Sequence, residues 1–365
     1  MKILHLISSL YRGGRERQLA SIVANTNSQL YPSKIVYFNK IPHSYVDEYH
    51  LEDLAIQLQT HGKMSRMKEL NQILTREKPD IVYTWGYEES ISILLLRPFH
   101  KFRFINGSIR HGIRSRRFSH YLRTLILHMS PYIVANSKAG LHANHLHRGE
   151  VLYNGIDGRF LCPMTDRAAR RLALTGISPD IPLLISVANL VPYKDYFSVL
   201  KALKKLKDTG ISFFYLIIGH GPMYNNIIRT ISEYGLDSSV RIVEHVSNVD
   251  MYLKVSDIFV HSSKGEGCSN AILEAMAAGL PIVASNTGGT DEVVDTANGL
   301  LFKYQNDVQL ADYLAWLIHN PINRKKMGKC SHEKVQEGFT MEKMMNRYYD
   351  VLNQVYNHSN ERKNL

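Results

Sequence analysis

Ile258-Phe-Val-His-Ser-Ser-Lys-Gly-Glu-Gly-Cys-Ser-Asn-Ala-Ile-Leu-Glu-Ala-Met-Ala-Ala-Gly-Leu-Pro-Ile-Val-Ala-Ser285 is the stretch from which the fold can be read. Ile258–Val260 is a short apolar run, which predicts a buried strand. A polar loop follows, with glycines at 265 and 267. A helix is expected from Ser269 to Ala278, stopped by Gly279, and Pro281–Ala284 opens the next strand. Strand, loop, helix and strand in that order make a parallel βαβ unit. The loop also carries chemistry. The first turn of a helix offers N–H groups and the positive end of its dipole, and glycine lets backbone approach a ligand closely. That combination suits a phosphate or diphosphate. Two carboxylates stand beside it, Glu266 and Glu274. A carboxylate repels phosphate but accepts hydrogen bonds from hydroxyls, and its two oxygens match a vicinal diol. Either glutamate alone reads as a solvated surface residue. Loop, helix start and both carboxylates together point to a sugar nucleotide.

The same alternation extends in both directions. Upstream, Ile3–Ile7, Lys34–Phe38, Asp80–Thr84, Phe102–Ile105 and Tyr132–Ala135 are expected strands, with helices over 15–25 and 67–76. The series restarts with strands at Leu183–Val187, Phe213–Ile218 and Val240–Val243. Helices are expected over 196–207, 224–234, 310–319 and 341–356. Between the series lie Asn154-Gly155, a turn signal, and the Arg-rich 167–171. The domain junction is placed near 160–178. Two α/β halves imply a cleft between them, with ligands beyond the carboxyl ends of the strands.

Composition narrows the class. The chain has 365 residues, 44% hydrophobic and 21% charged, which excludes a disordered or low-complexity protein. Cys162, Cys268 and Cys330 are too few for a disulfide framework and suit a reducing compartment. The N-terminal apolar run is short, contains His5 and lacks a cleavage pattern, so a first strand is expected rather than a leader. The apolar runs Ile91–Leu96 and Leu122–Met129 are too short to span a bilayer. A cytoplasmic protein is expected, with attachment to the inner face of the membrane as the further possibility.

Further motifs carry a resemblance. Glu266–Gly279 is similar to the E-x7-E signature of glycosyltransferase family 4, the retaining GT-B enzymes among the group 1 glycosyl transferases. Thr287-Gly-Gly-Thr-Asp-Glu-Val-Val294 resembles its Gly-Gly-x-x-Glu segment. Ser186–Lys194 resembles its donor-phosphate segment. Ile217–Pro222, Ala135–Lys138 and Tyr153–Asp157 match in order, and Gly13-Gly14 begins the series. The resemblance implies two Rossmann-like, doubly wound parallel-sheet domains facing a cleft. They would be residues 1–165 for the acceptor, with a returning C-terminal helix 340–365, and residues 166–339 for the donor. It implies transfer of a sugar, with retention, from a nucleotide-diphospho-sugar to a glycan or lipid-linked acceptor of cell-surface polysaccharide or lipopolysaccharide synthesis. A sugar-nucleotide 2-epimerase or a non-catalytic nucleotide-sugar-binding subunit would share the fold.

By the same resemblance Glu274 holds the ribose and Glu266 the transferred sugar. The amides of Gly267, Cys268 and Ser269 hold the distal phosphate or sugar. Lys194 matches the family's lysine on the diphosphate. Its usual arginine is replaced by Asn189, which brings no charge. Gly14 and Gly219 belong to turns near the donor. A histidine common near the transferred sugar falls on Arg110 or its neighbour His111, and strand alternation lets only one face the cleft. No metal or other cofactor is required for such a site. Glu292 either approaches the nucleotide or caps Thr290–Val294. His142 and His145 would share a helix face, but a solvated basic helix is the expectation there.

The charge remains. Net charge is +11, and residues 90–160 hold 11 Lys and Arg against 2 Asp and Glu. Ser90 to Gly149 contains no acidic residue. Aromatic residues are interleaved with the cations. A solvated basic face is the plain explanation, and a polyanion such as nucleic acid is conceivable electrostatically. An anionic membrane surface or phosphorylated acceptor, met by Arg114, Arg116 and Arg117, is the expectation adopted, without nucleic acid.

Overall fold

The computed structural model describes residues 1–11, 13–39, 45–113, 118–244 and 246–361, without the side chains of 118–120 and 358–361. The chain divides into two units, Met1–Gly155 with Glu342–Leu365, and Ile156–Met341.

The first unit holds seven strands: β1 (Ile3–Ser9), β2 (Ser33–Asn39), β3 (Ala55–Gln57), β4 (Ile81–Thr84), β5 (Arg103–Ile109), β6 (Tyr132–Ala135) and β7 (Glu150–Val151). Their order is β3-β2-β1-β4-β5-β6-β7, and every pairing is parallel. Parallel strands buried on both faces need near-continuous apolar runs, which β1 and β4 supply. Leu4, Leu6, Val82 and Phe104 form one core with Ile73 and Ile93 of the covering helices.

The second unit repeats the plan with β8 (Leu183–Val187), β9 (Phe214–Ile218), β10 (Val240–Val243), β11 (Ile258–His261), β12 (Ile282–Ser285) and β13 (Gly299–Phe302). Its order is β10-β9-β8-β11-β12-β13, again parallel. Leu184, Leu203, Tyr215, Ile217, Val260 and Leu314 lie in its core. The helix Pro321–Gly338 escaped the sequence reading because it has no apolar periodicity. It sits close because of Gly328, where a Cβ would lie 2.1 Å from the Gly279 carbonyl oxygen.

The division falls at 155/156 and 341/342, where the sequence placed it at 165/166 and 339/340. Hydrogen bonds explain the shift. Ile156 N–H donates to Phe339 O at 2.9 Å, and Met341 N–H donates to Ile156 O at 3.2 Å. Lys254 Nζ donates to Arg159 O at 2.6 Å, so 156–165 is tied into the second unit.

The last helix, Met341–Glu361, belongs to the first unit from Glu342 onward. It is held by a buried polar chain. Trp85 Nε1–H donates to His5 Nδ1 at 3.1 Å, and His5 Nε2 faces Tyr348 OH at 3.0 Å. An indole only donates, so His5 must carry its proton on Nε2 and donate it to Tyr348. Burial lowers the His5 pKa to about 3, so the ring stays neutral. Among the described residues no helix is long and apolar enough to cross a membrane.

Candidate active site

In the second sheet, β8 and β11 are neighbours, while the chain runs from β8 to β9 on the other side. The order reverses there, and in doubly wound sheets that is where a ligand crevice opens. The loops leaving these two strands carry Asn189 to Lys194 and Ser262 to Ser269.

Side chains and backbone lock the loops together. Asp195 has a left-handed backbone (φ 37°) and caps the helix Tyr196–Asp208 by accepting from Ser198 N–H at 3.4 Å. Its other oxygen accepts from Ser262 Oγ at 3.2 Å. Lys264 N–H donates to Tyr193 O at 2.8 Å. Lys194 is thereby brought beside Glu266, 72 residues on, and the two form an ion pair. Lys194 is 8% exposed and Glu266 20%. His261, the last residue of β11 and 4% exposed, places Nε2 3.2 Å from the second Glu266 oxygen.

The glycine pair at 288–289 holds the backbone of Glu266. Gly289 N–H donates to Glu266 O at 2.9 Å. Gly288 has φ +60°, and a Cβ there would stand 2.0 Å from the same oxygen. Only glycine meets both conditions. Glu292 ends the short turn Thr290–Glu292 and is half-buried.

The electrostatics follow from burial and neighbours. Burial alone would raise the Glu266 pKa, but Lys194 and then His261 outweigh it and hold the carboxyl well below the usual range. Burial lowers the His261 pKa, Lys194 lowers it further, and Glu266 only partly opposes them. A carboxylate is therefore oriented between an ammonium and an imidazole held toward its neutral form. A small recess beside it is lined by Ser186, Ala188, Lys194, Tyr196, His261 and Ser262.

The helix Asn270–Ala277 begins at Ser269, whose side chain makes no capping bond. Gly267, Cys268 and Ser269 are buried in the turn before it. Glu274 lies on this helix and is 3% exposed, so it is not a solvated surface residue. Asn189 is exposed just past β8. Gly219 passes so near the β8 loop that a Cβ would lie 1.9 Å from Ala188 O, and Leu190 N–H donates to His220 O at 2.8 Å. The Gly219-His-Gly segment thus frames the loop that carries Asn189.

The second unit therefore brings together Lys194, Glu266 and the turn before the helix. Gly14, Arg110 and His111 belong to the first unit. Gly14 opens the helix Gly14–Asn25. The alternation expected for Arg110 and His111 does not apply, because β5 ends at Ile109 and both lie beyond it. The Arg110 guanidinium stacks 4.3 Å from the Trp85 ring centroid, and His111 is exposed. Arg114, Arg116 and Arg117 lie outside the described residues. The helix Lys138–Ala143 ends before His145, which has a left-handed backbone (φ 53°), so His142 and His145 do not share a helix face.

Sequence reasoning missed His261, Asp195 and Ser262. A polar residue at the carboxyl end of a strand beside the switch point was the available signal for His261. It also missed Glu89, which is 1% exposed in the first turn of the helix Tyr87–Leu96 and has an Oε1 with no hydrogen-bond partner. Burial raises its pKa, which Arg15 partly counters.

Residues 174–334 match the family model of the glycosyl transferases group 1. The N-acetyl-alpha-D-glucosaminyl L-malate synthase of Bacillus anthracis is 29% identical over 210 residues, 56% of this chain and 54% of the relative. The GDP-mannose-dependent monoacylated alpha-(1-6)-phosphatidylinositol monomannoside mannosyltransferase of Corynebacterium glutamicum is 27% identical, over 62% of this chain and 61% of its own. The chain spans about half the length of the curated relatives it matches. Among solved structures, Anabaena HepE with UDP-glucose superposes with a TM-score of 0.84 at 18% identity, covering 97% of this chain and 100% of that one. That likeness shows the fold, GT-B.

Proposed function

We propose that the chain is a retaining glycosyltransferase that takes a sugar from a nucleotide-diphospho-sugar. The observation that carries this is the Lys194–Glu266–His261 cluster beside a helix start without a side-chain cap, at the switch point of the second sheet. Relatives support the donor class. HepE is described in complex with UDP and UDP-glucose, and the corynebacterial relative is named as GDP-mannose-dependent.

Each residue then has a task. Glu274 takes the ribose hydroxyls. The diphosphate competes with Glu266 for Lys194, whose ammonium passes from carboxylate to phosphate. Glu266, still held by His261, turns its oxygens to hydroxyls of the sugar. Amides of Gly267, Cys268 and Ser269 meet the distal phosphate, and Asn189 adds an uncharged donor. As the bond from the anomeric carbon to phosphate oxygen breaks, charge grows on the diphosphate, and Lys194 and the amides stabilise it. The acceptor oxygen bonds to the anomeric carbon on the face the phosphate leaves, and its proton passes to the departing phosphate oxygen. No covalent enzyme intermediate is needed. The acceptor, a glycan or lipid-linked saccharide of surface polysaccharide synthesis, is assigned to the first unit, with Gly14, Arg110 and His111. The work is cytoplasmic, at the membrane face.

Because Lys194 and the helix start already meet the diphosphate charge, no metal is required. Turnover is expected to be unchanged by EDTA. Proton NMR of the full chain with a panel of nucleotide sugars tests the reading. It predicts a product or released sugar with the donor's anomeric configuration, abolished by Glu266→Gln. An inverted product, or a donor converted to its epimer without transfer, would overturn it.

A further inference from the structure

The helix Phe118–Met129 of the first unit shows its apolar side chains to solvent. Tyr121, Leu122, Leu125 and Met129 are 54%, 42%, 56% and 57% exposed. Positions 121, 125 and 129 are spaced i, i+4, i+8, and 122 joins them at i+3 from 125, so they form one stripe. The opposite face is anchored by Leu127, which is buried with Ile109, Ile133, Ala135, Leu141 and Leu146. A helix of a globular domain ordinarily turns such a stripe inward.

A neighbouring element adds exposed apolar side chains. The helix Tyr87–Leu96 packs beside this one, and the Arg123 guanidinium lies 5.5 Å from the Tyr87 ring centroid. Leu95 and Phe99, in and just after that helix, are 60% and 77% exposed. Large apolar side chains exposed together on two packed helices mark an interaction surface.

Charge selects the occupant. Arg97, Lys101 and Arg123 are exposed here, and no acidic residue occurs between Ser90 and Gly149. Arg148 donates to the carbonyl oxygens of His128, Ser130 and Pro131, which fixes a cation at the carboxyl end of the helix. A second copy would set this +9 region against itself. Nucleic acid would meet the cations and leave the leucines in water. A surface with apolar depth beneath anionic phosphates satisfies both.

We infer that the chain docks on an anionic membrane through the stripe Tyr121–Leu122–Leu125–Met129, with Leu95 and Phe99 beside it and the cations on lipid phosphates. The helix lies in the interface plane and does not span the bilayer. This goes beyond the transfer reading and does not rest on it.

Vesicle flotation of the full chain tests it, with phosphatidylcholine alone and with phosphatidylglycerol added. Binding is expected only with phosphatidylglycerol, and is expected to weaken as salt is raised. Arg97→Gln and Arg123→Gln should each weaken it by roughly fivefold. Leu122→Ser/Leu125→Ser/Met129→Ser should weaken it by at least about tenfold. That variant should keep its melting temperature and nucleotide-sugar affinity, because the stripe lies outside the core and in the unit without the donor residues. Leu125→Trp supplies a readout free of deletion, a blue-shifted indole emission on adding the anionic vesicles. No flotation of the wild type at low salt, equal flotation of a folded triple variant, or an unshifted emission from the Leu125→Trp protein would each overturn the inference. So would a wild-type dimer that the triple variant converts to monomer.

Discussion

At the scale of the residue, the proposed chemistry turns on Lys194 and Glu266. The Lys194 side chain is 8% exposed and is paired with the Glu266 carboxylate. Removing one partner leaves the other buried and uncompensated, which costs more than removing both. Glu266→Gln should therefore lower stability by about 3 kcal/mol, and Lys194→Met/Glu266→Gln should recover most of it in urea unfolding. Lys194→Ala should lower kcat roughly 10²–10³-fold, as for loss of an oxyanion-hole donor. His261 acts through Glu266, as a positioning residue. His261→Phe should lower kcat about tenfold while nucleotide affinity, read by calorimetry, stays the same. Glu266 and Glu274 could be singled out in the sequence because they stand beside a glycine loop and a helix start, and Lys194 only through the family resemblance of Ser186–Lys194. The ion pair was not legible, since it depends on two loops closing over 72 residues. His261 was missed because a lone histidine at a strand end looks like any core residue. The strand alternation expected at Arg110 and His111 failed because the end of β5 is set by pairing with β6, which shifts register between Asn106 and Ile109.

The elements that apolar runs define were legible. β1, β4, β8, β11 and β12 are short and apolar, and each was expected within a few residues of its place. β3 and β7, of three and two residues, carry no pattern of their own and exist only as edges of a sheet already formed. The C-terminal helix was legible by periodicity, but its anchor was not. Tyr348 is fully buried against His5, and Tyr348→Ala should cost about 3–5 kcal/mol in urea unfolding. His5 gives that anchor a pH dependence. Unfolded, it takes up a proton near the ordinary histidine value of 6.5; folded, it does so only near about 3. Its contribution is complete above pH 6.5 and is lost as pH falls from there toward 3. His5→Gln should flatten the fall in urea midpoint between about pH 7 and pH 4, which a series of unfolding curves would read.

Over the whole molecule, function divides with the charge. The donor residues sit in the unit Ile156–Met341, which holds 19 Lys and Arg against 19 Asp and Glu. In the proposed reaction one lysine and a helix start meet the diphosphate, so the site needs no basic field. The surplus of +9 over residues 90–160 lies in the other unit, beside an exposed apolar stripe, and belongs to what that unit touches. Sequence alone located this surplus but could not show the stripe, because an apolar run on a helix looks the same whether it turns inward or outward. The central claim is that the switch point of the second sheet binds a nucleotide sugar through Lys194. Calorimetric titration of the full chain with a panel of nucleotide-diphospho-sugars tests it most directly. Saturable binding of at least one member, weakened at least about tenfold by Lys194→Ala, is the result predicted. Absence of binding by every member, or equal affinity in a folded Lys194→Ala protein, would contradict it.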